Sequence, residues 1–223
     1  FYLVRHGHRH DHGSHGERQQ VDKRYDVKLT KIGEYMAFKT GQELIDEIGR
    51  DKQIMFISSP FFRCLQTCDF MLCGMISSET KVYKNQLFVE DLVREHAHPT
   101  CYNKEDLPNI TFYGGEKATF LDTVHNTIEE FKGCDESIDV YPETEEMLTA
   151  RTKLFIERTA QFVKNNPGIV PIVCTHGFSI TAAHEMYSDS KEHCVTAYCG
   201  VVKFSVKSDT GDVKAEYINK RFY

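Results

Sequence analysis

The sequence of 223 residues lacks several features that would place it in a specialised class of protein. No apolar run approaches the roughly 20 residues that a helix needs to cross a bilayer. Internal repeats and low-complexity tracts are absent. Acidic residues outnumber basic ones by 33 to 27, so the formal net charge is −6 and the chain has no overall basic field for nucleic acid. We therefore expect no nucleic-acid or membrane partner, and any anion site must be a local group of cations.

Pairs of the Cys-x-x-Cys type are also missing, which argues against a zinc site built from four thiolates. Eight cysteines are nevertheless present, at positions 64, 68, 73, 101, 134, 174, 194 and 199. They are scattered through apolar or helical contexts, in a chain too large to need disulfide bonds for stability. No secretory signal peptide precedes the first predicted strand. We expect free thiols and a cytoplasmic protein.

What the sequence does contain is an alternation of strand and helix patterns, over a length that suits one large domain. Three apolar runs predict buried strands at residues 1–4, 54–57 and 169–174, and residues 82–89 are a further strand candidate. Helical spacing predicts helices over residues 29–48, 60–75, 144–165 and 178–187. Two further strands, at residues 201–206 and 213–218, flank a turn and predict a hairpin. This order predicts an α/β protein with a mostly parallel sheet, an antiparallel edge and helices on both faces.

Between residues 97 and 142 the periodic pattern weakens. Pro99, Pro108, Gly114 and Gly133 interrupt this stretch, and its one predicted helix covers residues 120–131. We interpret residues 1–223 as a single domain, with an insertion at about 97–142 that folds over the ligand-binding side of the sheet.

The end of each predicted parallel strand carries residues suited to phosphate chemistry. These are Arg5 and His6 after the first strand, Ser58, Ser59 and Arg63 after the second, Glu95 after the third and His176 after the fourth. Ligands of open α/β sheets bind at the carboxyl ends of the strands, so we expect these side chains to converge. Arginine donates paired hydrogen bonds to phosphate oxygens, and the N-terminus of the helix after Pro60 can add backbone N–H groups. The two arginines and two imidazoles therefore predict a site for a phosphate dianion.

Four segments, in this order, resemble the motifs of the histidine phosphatase superfamily. They are Leu3-Val-Arg-His-Gly7, Leu29-Thr-x-x-Gly33, Ser58-Ser-Pro-Phe-Phe-Arg63-Cys-Leu-Gln-Thr67 and Val173-Cys-Thr-His-Gly177. The resemblance covers most of the chain apart from residues 96–142. It implies the three-layer α/β/α sandwich of phosphoglycerate-mutase-like proteins, a group that contains both mutases and phosphatases.

The resemblance also implies a role for each residue. In the Arg5-His6-Gly7 (RHG) motif, His6 attacks phosphorus and becomes a phosphohistidine. Arg5, Arg63 and His176 hold the phosphate oxygens, and His176 is also part of the catalytic set. The implied chemistry uses neither a cofactor nor a metal. Physical chemistry agrees with the role of His6, because nearby arginines lower the pKa of an imidazole and keep it neutral for attack.

By the same resemblance, a carboxylate after the third strand protonates the leaving alcohol. Glu95 has this position, and the neighbouring carboxylates Glu90 and Asp91 remain alternatives. A bound phosphate dianion would raise the pKa of Glu95 toward the protonated form that a general acid requires. We expect a pH optimum in the acidic to neutral range.

The loop after the nucleophile contains further histidines, at positions 8, 10, 12 and 15, in a pattern that can bind zinc or copper. Three glycines interrupt this segment, so its histidines do not share one face of a strand. We interpret the segment as a loop at the rim of the pocket, in which His12 and Ser14 are candidates for substrate contact.

These observations predict a phosphomonoester hydrolase acting on a phosphorylated small molecule or a phosphoprotein. A phosphoglycerate mutase with the same nucleophile is the alternative. The resemblance implies that a mutase would carry a serine and a tryptophan–asparagine pair soon after the histidine–glycine. This chain has His8-Arg-His-Asp-His12 there and no tryptophan. An inactive binding domain is a further alternative, but the residues that such domains often lose are all present.

Overall fold

The computed structural model describes residues 1–12, 26–76, 80–106, 121–125, 140–190 and 196–221. Its sheet has seven strands: β1 (Tyr2–Arg5), β2 (Gln53–Ser58), β3 (Lys81–Val89), β4 (Asp122–His125), β5 (Ile169–Thr175), β6 (Val201–Val206) and β7 (Val213–Lys220). Within these ranges four α-helices accompany the sheet: α1 (Lys31–Ile48), α2 (Phe62–Ile76), α3 (Glu145–Asn165) and α4 (Gly177–Tyr187). The strand order is β4-β3-β2-β5-β1-β6-β7. The first five strands in this order pair in parallel, and β6 and β7 form the antiparallel edge, as predicted.

Alternating side chains of the central strands divide the core into two layers. Leu3 packs in a cluster with Phe155 of α3 and Ile180 of α4. Its neighbour Val4 packs in the opposite cluster, which includes residues of α1 and α2 such as Leu44. Successive residues of a strand point to opposite faces, so a strand that is buried on both faces reads as a continuous apolar run. The three-layer α/β/α sandwich is therefore confirmed.

Two glycines bring α1 and α2 into close contact beneath the sheet. A Cβ atom on Gly41 of α1 would overlap the backbone oxygen of Met71 in α2. A Cβ atom on Gly74 of α2 would overlap the backbone oxygen of Phe38 in α1. The two helix backbones can approach this closely only because neither glycine carries a side chain. This packing sets the position of α2, which carries Arg63 in its first turn.

Two local predictions were wrong. The predicted helix at residues 120–131 is replaced, over its described part, by β4, which pairs in parallel with the carboxyl end of β3. Pairing with the unsatisfied edge of β3 outweighs the local helical spacing, because tertiary context overrides a weak propensity. The second helix begins at Phe62 and not at Pro60, and the backbone N–H groups of Cys64 and Leu65 both donate to the carbonyl of Phe61.

The six cysteines in the described ranges are free thiols, which confirms that expectation for positions 64, 68, 73, 101, 174 and 199. Cys134 and Cys194 lie outside the described residues. None of the helices in these ranges is long and apolar enough to span a membrane.

The contact at Gly41 gives a test of the packing. Helix propensity alone predicts that Gly41→Ala stabilises the protein by about 1 kcal/mol. We expect the opposite sign, a loss of about 1–3 kcal/mol in the free energy of unfolding, because the new methyl group has no space against α2. Glu43→Ala, at an exposed position of the same helix, is the control and should change stability by less than about 0.5 kcal/mol. Urea denaturation measures both, and a stabilising Gly41→Ala would contradict the packing described here.

Candidate active site

The predicted site residues lie side by side because the ends of neighbouring strands are tied together. The N–H of His6 donates to the carbonyl of Thr175 at 3.0 Å, which joins the ends of β1 and β5. The N–H of Ser59 donates to Cys174 O at 3.0 Å, and the N–H of Glu90 donates to Ser58 O at 2.9 Å. The ends of β1, β5, β2 and β3 therefore form one continuous edge, where ligands of α/β sheets bind.

The loop after β1 packs directly on the start of α1. A Cβ atom on Gly7 would lie 2.7 Å from the carbonyl oxygen of Gly33, and one on Gly33 would overlap the backbone of His8. Thr30 caps α1, since its hydroxyl accepts from Gly33 N at 3.0 Å. The N–H of Gly7 donates to the hydroxyl of Thr67 in α2 at 2.9 Å. The Leu29–Gly33 segment thus holds the loop that follows the proposed nucleophile.

His6 is buried, and its hydrogen bond defines its tautomer. Its Nδ1 lies 2.9 Å from the carbonyl oxygen of Gly7. A carbonyl only accepts, so Nδ1 carries the proton and the lone pair is on Nε2. Burial, together with the charges of Arg63, His176 and Arg5, holds the pKa of His6 well below its ordinary value of 6.5. The side chain is therefore a neutral imidazole with a basic nitrogen available for attack.

Arg63, Glu95 and His176 meet next to this imidazole. Oε2 of Glu95 accepts from Arg63 NH2 at 3.1 Å and lies 3.1 Å from Nδ1 of His176. The ligand atoms of His6, Glu95 and His176 lie within 4.8 Å of one another. The ring centroids of His6 and His176 are 5.4 Å apart. The structure thus brings together, in one buried group, four residues that the sequence places far apart.

The charge states of Glu95 and His176 depend on each other. Burial alone would raise the pKa of Glu95, but the charge and hydrogen bond of His176 and the charge of Arg63 outweigh it and hold that pKa well below its usual range. For His176, burial lowers the pKa, whereas the neighbouring Cys64 and Glu95 raise it, and the net shift is upward. In the site without substrate, these shifts favour the carboxylate form of Glu95 and a protonated His176.

The two alternative acids, Glu90 and Asp91, lie at the start of a short 3-10 turn. The carboxylate of Glu90 accepts from the N–H of Leu92 at 3.0 Å and caps a short 3-10 turn over Asp91–Val93. Asp91 is the first residue of that turn. Of the three candidates, Glu95 is the one whose carboxylate contacts both Arg63 and His176.

Behind His176, two side chains face its Nε2 atom. The hydroxyl of Ser59 lies 2.8 Å away and the thiol of Cys64 lies 3.5 Å away. Burial would raise the pKa of Cys64, but a hydrogen bond from Cys174, the charge of His176 and that of Arg63 lower it to about 5. A negative Cys64 favours the charged form of His176. Ser59 was among the residues expected at this strand end, whereas Cys64 was not.

The expected contribution of the N-terminus of α2 to phosphate binding is not supported at its first residue. The N–H of Phe62 donates to the carboxylate of Asp26 at 2.7 Å. The N–H groups of Cys64 and Leu65 donate to the carbonyl of Phe61. Three N–H groups at the start of α2 therefore already have acceptors in the protein.

Arg5 lies on the other side of the pocket, held by a residue that the sequence did not indicate. Its NH1 donates to the carbonyl of Thr196. Its guanidinium carbon lies 4.4 Å above the ring of Tyr198, and the buried Nε atom has no hydrogen-bond partner among the residues that the structure describes. Tyr198 lies three residues before the start of β6, and an antiparallel neighbour of β1 begins where β1 ends. That topology is the signal that could have identified it.

The rim of the pocket combines Tyr198 with histidines from the loop after β1. The hydroxyl of Tyr198 lies within hydrogen-bond distance of Nδ1 of His12, at 2.6 Å, and its ring lies 5.1 Å from that of His8. His12 is therefore close to the site, as expected of a candidate substrate contact. His10, by contrast, is exposed. Ser14 lies outside the described residues.

The charges of the site favour an anion over a metal ion. Within the described part of the chain, His6, Glu95 and His176 form the one cluster of metal-ligating side chains. A cation bound there would face the guanidinium of Arg63, which contacts the same Glu95 oxygen at 3.1 Å. Arg5 adds a second fixed positive charge to the pocket. A phosphate dianion is the better match for this group.

Comparison with protein-family models gives a match to the histidine phosphatase superfamily (branch 1) over residues 1–80. This segment contains the proposed nucleophile and both arginines of the site. No curated protein sequence matches the chain.

Solved structures extend the likeness over the whole chain. A phosphoserine phosphatase from Entamoeba histolytica, in complex with 3-phosphoglyceric acid, is 17% identical with a TM-score of 0.56, and the match covers 98% of this chain and 95% of that one. A phosphoglycerate mutase from Bacillus anthracis str. Sterne is 19% identical with a TM-score of 0.62, covering 98% and 91%. A mycobacterial glucosyl-3-phosphoglycerate phosphatase, complexed with VO3, is 16% identical with a TM-score of 0.56, covering 99% and 97%.

At these identities the structural matches establish the fold alone. The fold is that of phosphoglycerate-mutase-like proteins. The family match over residues 1–80 includes the Arg5-His6-Gly7 segment. The resemblance to the histidine phosphatase superfamily is therefore confirmed.

The pKa values of the two site histidines should be shifted in opposite directions from the ordinary value. As the pH falls through 6.5, the ordinary value for an imidazole, His6 should remain neutral with its proton on Nδ1, since its surroundings lower its pKa. His176 should keep its proton as the pH rises through the same value, since its pKa is raised. Nitrogen-15 NMR of the imidazole rings measures both, with His6→Gln and His176→Gln spectra for assignment. A His6 signal that protonates near pH 6.5, or an Nε2-protonated tautomer, would contradict the geometry.

Proposed function

We propose that the chain is a phosphatase that hydrolyses phosphomonoesters through a phosphohistidine on His6. The observation that carries this proposal is the state of His6. It is a neutral, Nδ1-protonated imidazole buried among Arg5, Arg63 and the His176 imidazolium. This arrangement keeps a nucleophilic nitrogen beside cations that attract a phosphate dianion.

In the first step, the lone pair on Nε2 of His6 attacks phosphorus, and the bond from phosphorus to the leaving oxygen breaks. Arg5, Arg63 and His176 balance the charge on the three remaining phosphate oxygens. The Nδ1 proton stays in its hydrogen bond to Gly7 O. This hydrogen bond also orients the ring so that Nε2 points at the phosphate.

The leaving oxygen requires a proton, which we assign to Glu95. In the free site this carboxyl group is ionised. A bound phosphate dianion adds negative charge and raises the pKa of both Glu95 and His176. The His176 imidazolium lies 3.1 Å from Glu95 and holds a proton at the site, so the pair functions as one donor. In the second step, Glu95 takes a proton from the water that attacks phosphorus, the N–P bond breaks and inorganic phosphate leaves.

The family match and the phosphatases among the similar structures support this class of reaction. A phosphoglycerate mutase with the same nucleophile remains the second candidate, since one similar structure is a mutase. A mutase would convert 3- to 2-phosphoglycerate in a reaction that depends on a bisphosphate primer. A phosphatase would release inorganic phosphate from a monoester without a primer. Measuring both products in the same preparation separates the two.

Removal of the nucleophile tests the proposal directly. His6→Ala should lower release of phosphate from p-nitrophenyl phosphate by about 10³-fold or more, because no other group in the site replaces the attacking nitrogen. His10→Ala is the matched control, since His10 belongs to the same loop and is exposed. It should retain activity close to that of the parent protein. An active His6→Ala protein would contradict the assignment of the nucleophile.

The pH dependence tests the roles of Glu95 and His176. The lowered pKa of His6 preserves the nucleophile at acidic pH, so kcat/KM for phenyl phosphate should remain high from acidic to neutral pH. Activity should decline as the pH rises above the raised pKa of His176, because the pair then has no proton to donate. Initial rates in buffers of constant ionic strength measure the profile. A rate that climbs steadily toward alkaline pH would exclude Glu95 as the acid.

A further inference from the structure

The segment that carries Glu95 has no regular secondary structure after the 3-10 turn at Asp91–Val93. Its backbone is not fixed by a sheet ladder or by helix hydrogen bonds. The position of the Glu95 backbone must therefore depend on contacts made by other parts of the chain. The hydroxyl of Thr175 donates to the carbonyl of Val93 at 2.7 Å, and two buried side chains, Arg151 and Glu143, supply further contacts.

Arg151 reaches this segment from α3. Its NH1 donates to the carbonyl of Leu92 at 2.7 Å and to that of Arg94 at 3.1 Å. The carbonyl of Arg94 belongs to the peptide group that precedes Glu95. One guanidinium therefore fixes the backbone on the amino side of the proposed acid.

Glu143 fixes the backbone on the carboxyl side of the acid. Its Oε2 accepts from the N–H of Ala97 at 3.1 Å, and its own N–H donates to Ala97 O at 2.8 Å. Its carbonyl oxygen lies 2.9 Å from Nε2 of His96. Both residues that follow Glu95 are thus bound to Glu143, which immediately precedes the N-cap of α3.

The two fixing residues are also bound to each other. Arg151 Nε donates to Oε1 of Glu143 at 2.8 Å, and Arg151 NH2 donates to Oε2 at 2.9 Å. The side chains are only 4% and 5% exposed, so both charges are desolvated. A buried ion pair contributes little net stability compared with an apolar pair of the same size, whereas its paired hydrogen bonds impose a fixed geometry.

We propose that Arg151 and Glu143 are positioning residues, which hold the backbone at Arg94–Ala97 so that the carboxyl group of Glu95 reaches the leaving oxygen. This inference rests on the proposed role of Glu95 as general acid. It assigns no contact with substrate to either residue. A displacement of a catalytic group by about 1 Å can reduce a rate by 10²-fold, so the effect of losing the pair should be measurable.

A comparison of two substrates separates positioning from general stability. p-Nitrophenyl phosphate has a good leaving group that departs without a proton, whereas glycerol phosphate releases an alkoxide that requires one. Arg151→Met should lower kcat/KM for glycerol phosphate about 10- to 100-fold and change kcat/KM for p-nitrophenyl phosphate by less than about threefold. The comparison uses kcat/KM because this ratio reports the phosphorylation step and not the later attack of water, which both substrates share. Arg158→Met, at an exposed position of α3, is the matched control and should change neither rate.

A double-mutant cycle completes the test. Glu95→Gln alone should show the same selective loss with glycerol phosphate, and Arg151→Met should add little to it, because residues that act through one group are not additive. If Glu95→Gln shows no selective loss, the proposed function is wrong. If Glu95→Gln loses selectively but Arg151→Met lowers both substrates equally, or lowers neither, the positioning role is overturned.

Two milder variants keep the inference testable if Arg151→Met fails to fold. Arg151→Lys retains the charge but has one nitrogen in place of three, and Glu143→Gln retains the size of the side chain. Each should reproduce the selective loss with glycerol phosphate. If a variant retains the same fraction of the parent protein's rate on both substrates, the result counts against the proposal.

Discussion

The buried guanidinium of Arg63 is the group on which the rest of the site depends. The residue is 2% exposed, and an isolated charge at such a position would be strongly unfavourable. The carboxylate of Glu95 at 3.1 Å provides its counter-charge, and the ring of Phe61 lies 4.4 Å from its guanidinium carbon. With Arg5 and a protonated His176 nearby, positive charge exceeds the combined negative charge of Glu95 and Cys64. Burial, together with the same excess of positive charge that attracts a phosphate dianion, keeps the imidazole of His6 neutral.

The fold supplies this concentration of charge through strand order. The strands that carry the site residues are neighbours in the sheet, so residues far apart in sequence end at one edge. Gly7 and Gly33 allow the loop after β1 to pack against α1, which leaves the imidazole of His6 buried beside α2 and β5. The close contact of α1 with α2 in turn fixes the helix that carries Arg63. Each of these contacts is made by backbone atoms, which explains how a small set of side chains is held in place.

Much of this could be predicted from the sequence, and the limits of prediction have physical causes. The strand-end residues, such as His6 and Glu95, could be found because chemistry-bearing side chains directly follow apolar runs. Tyr198 could not be found in that way, because it precedes its strand and its relation to the site depends on the antiparallel pairing of β6. The pair formed by Arg151 and Glu143 has an ordinary charge pattern at the start of a helix, and only the tertiary structure shows that it is buried. The helix predicted at residues 120–131 failed because strand pairing at the sheet edge is not a local property.

The central claim is that phosphate passes through a covalent bond to His6. Rapid acid-free quenching of the protein during turnover of an aryl phosphate, followed by peptide mass spectrometry at alkaline pH, would locate any phosphoryl group. We expect one phosphoryl group per chain on His6, labile in acid, absent from His6→Ala and accumulating when Glu95→Gln slows the attack of water. A turnover that proceeds at full rate with no phosphorylated His6, or with the phosphoryl group on another residue, would contradict it.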